Sequence, residues 1–263
     1  MKTISKLWIV LLLTALALGA CAPKAPANKL EAIKSAGKMV VGTSADYAPF
    51  EYKDEQDNFV GFDMDLIREI GKRMGVEVEI QDMAFDSLVA AVEQGKVDLV
   101  IASMAPTEER LQKVDFSITY HVQKNSFLAA NDSNITLASP EDAAAYKIGV
   151  QTGTTLDDWV TKNLVETGKM PAENVFRYER ADQSILDLQA GRIDLVLTDA
   201  GPAKEYEKTG QAKVILTEKL FETGENIAIA KGETALKAEL DKIIQELIDE
   251  GYIDKLAQQY GLE

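Results

Sequence analysis

Ser103 and Asp199 are polar residues that close two closely similar stretches of the chain. Val92-Glu-Gln-Gly-Lys-Val-Asp-Leu-Val-Ile-Ala102 returns as Leu188-Gln-Ala-Gly-Arg-Ile-Asp-Leu-Val-Leu-Thr198, and the hydroxyl and the carboxylate follow. Polar groups there would meet a small molecule, because ligands of open α/β sheets bind outside the carboxyl ends of the strands. Other chemistry is scarce. The chain has one histidine, His121, one cysteine, Cys21, and no His/Cys/Asp spacing of a metal site. Catalysis by proton transfer needs an acid or base aimed at the substrate, so binding without turnover is expected. No cofactor is expected.

Both stretches read as the end of an amphipathic helix, a Gly-plus-cation stop and a short aliphatic run. The runs are apolar throughout, as in strands covered on both faces by helices in a mostly parallel sheet. Asp98 and Asp194 stand in the same register within them. Two such units predict two α/β lobes facing each other across a cleft. Ahead of the first, residues 39–43 read as a strand and 51–60 as a hairpin turning at Asp57-Asn58. Asp63 is placed to N-cap a helix with Leu66, Ile67, Ile70 and Met74 on its apolar face and Gly75 at its end. Residues 76–80 alternate as a half-buried strand. Ser139-Pro140-Glu141-Asp142 opens another helix, and a strand at 147–150 leads into Gly153-Thr154-Thr155 and a helix to about 163. A strand at 227–230 and a terminal helix at 234–250 complete an alternating α/β pattern.

Residues 1–20 are not part of that fold. Lys2 and Lys6 precede an apolar run from Leu7 to Ala20 that is too short to span a bilayer comfortably. Leu18-Gly19-Ala20-Cys21 follows, the layout of an export signal. It resembles the bacterial lipoprotein box, which implies that Cys21 carries lipid and that residues 21–36 tether the body to the membrane. Losing this leader takes the formal net charge from −15 to −17. So acidic a body would be repelled by nucleic acid and by anionic membrane. With no cysteine left inside the fold, disulfides do not staple it.

Gly61-Phe-Asp-Met-Asp-Leu-Ile-Arg-Glu-Ile-Gly-Lys-Arg-Met74 resembles the signature of bacterial polar amino-acid-binding proteins, the family 3 solute-binding proteins. Asp46-Tyr-Ala-Pro-Phe50, Met83-Ala-Phe85, Ala102-Ser-Met-Ala-Pro-Thr-Glu-Glu-Arg110, Val114-Asp-Phe-Ser117, Gly153-Thr-Thr155 and Leu197-Thr-Asp199 match in family order and spacing. The resemblance covers the chain from about Lys38. It implies a two-lobed, venus-flytrap fold (type II periplasmic-binding-protein-like) that delivers an amino acid to the membrane subunits of an ABC-type permease. Lobe one would be 37–119 with 228–263, lobe two 125–222, and the hinges 120–124 and 223–227. A monomer is expected.

The resemblance also assigns roles. A buried amino acid needs both of its charges answered. Arg110 would take the carboxylate with its planar fork, helped by the N–H groups of Thr154 and Thr155 at a helix start. Asp199 would take the ammonium, with Ser103 near the α-atoms. Tyr47 and Phe85 would sandwich the side chain, and Gln151 would select it. Two positions depart from the family pattern. Ser44 stands where binders of basic side chains often have Asp, and Ala105 stands where a hydroxyl is usual, leaving its carbonyl to serve. Asp46 is the candidate to replace the acid missing at Ser44. The ligand is therefore expected to be glutamine or another neutral polar amino acid, or lysine or arginine. The rival readings are an enzyme resembling the cyclohexadienyl dehydratases and a sensory module of the same fold.

Overall fold

The computed structural model describes residues 26–262. The export leader, Cys21 and the first part of the tether lie outside them. Among the described residues no helix is long and apolar enough to cross a membrane.

The first half of the chain runs α1 (Lys29–Ala36), β1 (Lys38–Thr43), β2 (Asp46–Tyr47), β3 (Glu51–Lys53), β4 (Phe59–Val60), α2 (Phe62–Met74), β5 (Glu77–Asp82), α3 (Leu88–Glu93), β6 (Leu99–Val100), α4 (Glu108–Lys113) and β7 (Val114–Phe116). It continues through β8 (Asn125–Ala129), β9 (Ile148–Gln151), α5 (Thr155–Val160), β10 (Val175–Tyr178), α6 (Ala181–Gln189), β11 (Leu195–Asp199), α7 (Ala200–Lys208) and β12 (Lys213–Glu218). It then returns as β13 (Ala228–Ala230), α8 (Thr234–Asp249) and α9 (Tyr252–Tyr260).

Two five-stranded sheets result, in the orders β5-β1-β6-β13-β7 and β10-β9-β11-β8-β12. In each, four strands run in one direction and the fourth in the order is antiparallel to both of its neighbours. The antiparallel strand is β13 in one sheet and β8 in the other, each the strand that enters directly from the other lobe. A small antiparallel sheet β2-β3-β4 sits on the first lobe and pairs Tyr47 with Glu51. Apolar clusters cover both faces of each sheet. One joins Met39, Val41, Leu66, Ile70 and Leu240, and another joins Phe127, Ile148, Val150 and Leu195. Helix packing on both faces is the reason the central strands read as unbroken aliphatic runs.

Four expectations are corrected. The segment read as tether to residue 36 holds α1, capped by Asn28 and anchored through Ile33, which is 2% exposed. Lys29 pairs with Asp98 and Lys34 with Glu239, so this helix docks on the first lobe. Asp63 is not an N-cap: α2 is capped two residues earlier, at Gly61. Gly61 takes φ +125°, and a Cβ there would fall 2.2 Å from the Phe50 carbonyl oxygen, which no larger residue tolerates. The ladder of the first repeated strand covers only Leu99–Val100, shorter than the strand expected over 97–102 from the run that ends the first stretch. The helix after Ser139 is a 3₁₀ helix, Pro140–Ala145, with Ser139 and Asp142 forming its capping box.

Candidate functional site

The residues expected at the site converge. Ser44, Tyr47, Phe85, Ser103, Ala105, Arg110, Gln151, Thr154, Thr155 and Asp199 all line one cavity of about 390 Å³ between the two lobes. Glu51, Ala102 and Leu156 line it as well and were not anticipated.

Arg110 reaches the cavity because Thr107 caps α4, its hydroxyl accepting from the Arg110 N–H, and so fixes the helix that carries the side chain. The guanidinium donates to the Ala105 carbonyl at 2.6 Å and to the Gly153 carbonyl of the second lobe at 2.9 Å. It lies 5.3 Å from the centre of the Phe85 ring. Among the described residues no carboxylate comes within 4 Å of it. Burial pulls it down to about 10, against the pull of Asp158 and Glu109, so it stays charged at neutral pH. A buried cation without an anionic partner is costly, and a carboxylate in the cavity would relieve it. Beside it, Thr154 caps α5 by accepting from the Asp157 N–H, and Thr155 is the first helical residue. The first N–H groups of a helix have no partner within it.

The opposite charge stands across the cleft. Asp199 occupies the N-cap position of α7 but makes no side-chain cap bond. Its carboxylate instead accepts from Asn125 at 2.7 Å and from the Tyr47 hydroxyl at 2.9 Å. Burial, then the charge of Glu225, push it up to about 7 against those two hydrogen bonds. The Tyr47 hydroxyl also lies 3.0 Å from Thr198 Oγ1, so this first-lobe ring closes directly on the second lobe. Ser103 sits at φ +47°, a left-handed conformation rare for serine. Asp63 holds it there, accepting the Ser103 N–H at 2.8 Å and the Tyr120 hydroxyl at 3.0 Å. The Ser103 hydroxyl donates to Glu225 at 2.7 Å. Ala105 lacks the usual hydroxyl, and its carbonyl already accepts from Arg110.

Asp46, the candidate for the acid missing at Ser44, is engaged elsewhere. Asp46 is absent from the cavity lining, and its carboxylate accepts from Ser44 Oγ at 2.7 Å, from Gln151 Nε2 at 3.3 Å and from the Ala181 N–H. The acid that lines the cavity besides Asp199 is Glu51, 1% exposed. Glu51 Oε2 and Asp63 Oδ1 find no other partner, and the two buried carboxyls are hydrogen-bonded to each other, with Glu51 holding the proton. Burial pushes Glu51 well above the usual carboxylate range, and Asp63, Asp46 and Glu225 add to it. Among the described residues no lysine or arginine lies within 4 Å of Glu51 or Asp63. A local signal for Glu51 existed in its position between Phe50 and Tyr52, an acid set among aromatics directly after a matched segment.

His121 does not line the cavity. It is bonded to Glu225 at 3.0 Å and to the Leu262 carbonyl at 3.3 Å. It pairs with Glu225 as an isolated antiparallel bridge where the two crossing segments run side by side. Among the described residues no group of three or more His, Cys, Asp or Glu is arranged to hold a metal ion.

Two α/β lobes of like topology, a cleft between them, and an unpaired cation facing carboxyls inside it define a receptor for a small charged solute. The chain belongs to the bacterial extracellular solute-binding proteins, family 3, whose model matches residues 39–263. It is 34% identical to the arginine-binding extracellular protein ArtP of Bacillus subtilis (strain 168), over 97% of this chain and 98% of that one. A crystal structure of a mutant ArgBP from T. maritima superposes with a TM-score of 0.81 at 34% identity, covering 89% of this chain and 100% of that one. An ancestral arginine-binding protein bound to arginine superposes at 0.79 with 33% identity, over 85% and 98%. An ancestral arginine-binding protein has also been solved bound to glutamine.

Proposed function

We propose that this chain captures an L-amino acid with a cationic side chain, L-arginine foremost, between its lobes and hands it to an ABC-type permease. Arg110 and the start of α5 hold the α-carboxylate. Asp199 and the Ser103 hydroxyl hold the ammonium, and Tyr47 and Phe85 flank the side chain. The observation that carries the choice of ligand is Glu51. Arg110 and Asp199 answer the two charges every amino acid has, which leaves a second carboxyl in the cavity with no cation near it. A guanidinium supplies that cation and would favour the ionised form of Glu51, whose acidity burial has suppressed. The relatives named for arginine support the same choice.

Calorimetry with L-arginine and L-glutamine on wild type and Glu51→Gln tests this. A hydrogen bond to a charged group is worth about 1.5–3 kcal/mol, so Glu51→Gln is expected to weaken arginine roughly 10- to 100-fold. Glutamine, which brings no side-chain charge, is expected to change less than about threefold. Equal losses for both ligands would contradict the assignment.

Closure of the lobes follows from the same layout, since residues of both lobes line the cavity and a ligand touching both favours the closed state. The paired crossing segments at His121 and Glu225 are the hinge in this reading. Cys21, after Leu18-Gly19-Ala20, is the site of a lipid anchor that keeps the exported chain at the cell membrane. Release of a Cys21→Ser variant from the membrane fraction checks this, and full retention would speak against it.

A further inference from the structure

Helix α6 begins badly by its own sequence. Its N-cap residue is Arg180, a side chain that only donates, and it makes no side-chain cap bond. The first N–H groups of a helix need acceptors from outside it, and Asn, Asp, Ser or Thr at the N-cap normally supply one. Other helices here follow that rule: Asn28 caps α1, Thr107 caps α4 and Thr154 caps α5. For α6 the acceptor comes from the other lobe. The Ala181 N–H donates to the carboxylate of Asp46, a residue of β2 in the first lobe.

We propose that Asp46 is a positioning residue for closure, a cap supplied in trans that α6 has only when the cleft is shut. Three observations support it. Asp46 is 7% exposed, and of its three donors two, the Ala181 N–H and Gln151 Nε2, belong to the second lobe. Its third donor, Ser44, holds the carboxylate in place from within the first lobe. Arg180 reinforces the same joint from the opposite side, donating to the Ala45 carbonyl at 3.0 Å and facing Asp82 at 3.8 Å. A negative group at this position also meets the positive end of the α6 dipole. Opening the lobes separates the carboxylate from α6 and returns both to water. Asp46 therefore weights the closed state without touching the ligand, since it does not line the cavity. That role also explains why an acid so near Ser44 is withdrawn from side-chain selection, which falls to Glu51.

This inference rests on the reading that the lobes close on an amino acid, and the experiment separates the two. Affinities for L-arginine and L-glutamine are measured on wild type, Asp46→Ala and Asp46→Asn, together with melting of each protein without ligand. Asp46→Ala is expected to weaken both ligands by the same factor, roughly 3- to 30-fold, the span of an N-cap deletion. The arginine-to-glutamine ratio should stay within about twofold of wild type. Asparagine caps about as well as aspartate, so Asp46→Asn should recover most of the loss. Melting without ligand should move little, because the open state lacks the contact. Loss confined to arginine would overturn the proposal by placing Asp46 against the ligand. So would unchanged affinity in Asp46→Ala, or an Asp46→Asn as weak as Asp46→Ala. Failure of the functional reading shows separately, as a wild type that binds no amino acid. The latch is then read from inter-lobe spin-label distances without ligand, where wild type should show a minor closed population that Asp46→Ala lowers roughly 3- to 30-fold, and equal closed populations overturn it.

Discussion

In the first lobe the chain leaves α3 through Gly95, at φ +70°, and the Gly95 and Lys96 N–H groups bond the Val92 and Ala91 carbonyls at 3.1 and 2.9 Å. In the second lobe it leaves α6 through Gly191, at φ +67°, and the Gly191 and Arg192 N–H groups bond Leu188 and Asp187 at 3.1 and 3.0 Å. Both are the same left-handed helix stop, which satisfies the last carbonyls of the helix. The strand that follows is tied down in the same way. Asp98 exchanges two hydrogen bonds with Val40, N–H to carbonyl at 2.7 Å and carboxylate to N–H at 2.8 Å. Asp194 does the same with Lys147, both at 2.9 Å. The shared Asp is thus a splice between neighbouring strands and has no part in the cavity.

The two copies part company one residue past the strand. In the first lobe the chain turns through the left-handed Ser103, pinned by Asp63, and goes on to α4, which delivers Arg110. In the second lobe Asp199 goes straight into α7 and turns its carboxylate to Tyr47. One scaffold, used twice, therefore presents a cation from one side and an acid from the other. The repeat positions the strand end, and the residues after it carry the chemistry.

The largest expected effect falls on those residues. Truncating one partner of a buried, hydrogen-bonded charge pair costs about 2–5 kcal/mol. By calorimetry, Arg110→Ala and Asp199→Ala are each expected to weaken amino-acid binding roughly 30-fold to several thousand-fold. Arg110→Lys should rescue little, because a point charge does not reproduce the fork. Binding within threefold of wild type in either alanine variant would break the complementarity of the two lobes.

The next effect tests the likeness of the lobes. Asp98→Ala strands the half-buried Val40 N–H and should cost about 1–3 kcal/mol in chemical denaturation, while Asp194→Ala leaves the exposed Lys147 N–H to water and should cost about 0.5–1.5 kcal/mol. Asp98 should cost somewhat more, because it also pairs with Lys29 at 3.1 Å. Neither change should alter ligand selectivity. A loss in one lobe only would show that the repeat is a sequence likeness without a shared load.

The smallest effect concerns pH, where folding and binding should move in opposite directions. Asp63 is pushed up to about 7, burial first and then the charge of Glu225, and Asp199 also stands at about 7. A carboxyl raised on folding contributes stability that is fully present below its unfolded value and lost as pH rises through its folded one. His121 has the same sign. Burial opposes its charge, but the hydrogen bond and charge of Glu225 outweigh it and raise the imidazolium, whose contribution also fades as pH rises. Melting of the ligand-free protein should therefore fall between about pH 5 and pH 8. An ammonium at Asp199 favours the ionised carboxylate, so affinity should rise across that window, about tenfold from pH 6 to pH 8. Parallel trends in melting and affinity would mean that Asp199 does not meet the ammonium.

The sequence by itself determined what depends on neighbours along the chain. The apolar faces of α2 and α8, the glycine stops at Gly75, Gly95 and Gly191, and the aliphatic strands are local patterns with one physical solution each. The family resemblance named ten residues, and all ten line one cavity. What the tertiary structure alone decided are contacts between distant parts of the chain. Asp63 looked like a cap because an acid before a helix usually is one; it became a buried brace because Ser103 and Tyr120 fold onto it. Residues 29–36 looked like tether because the run is short and polar; they are a docked helix because Ile33 finds the core and two lysines find acids far along the chain. Asp46 and Glu51 are both acids beside the same motif, and nothing local separates them. Strand pairing with Tyr47 brings Glu51 to the cavity, while the approach of α6 from the other lobe takes Asp46 away from it. Hydrophobic periodicity fixes which face of an element is buried, but the partner of a buried charge is set only when the lobes meet.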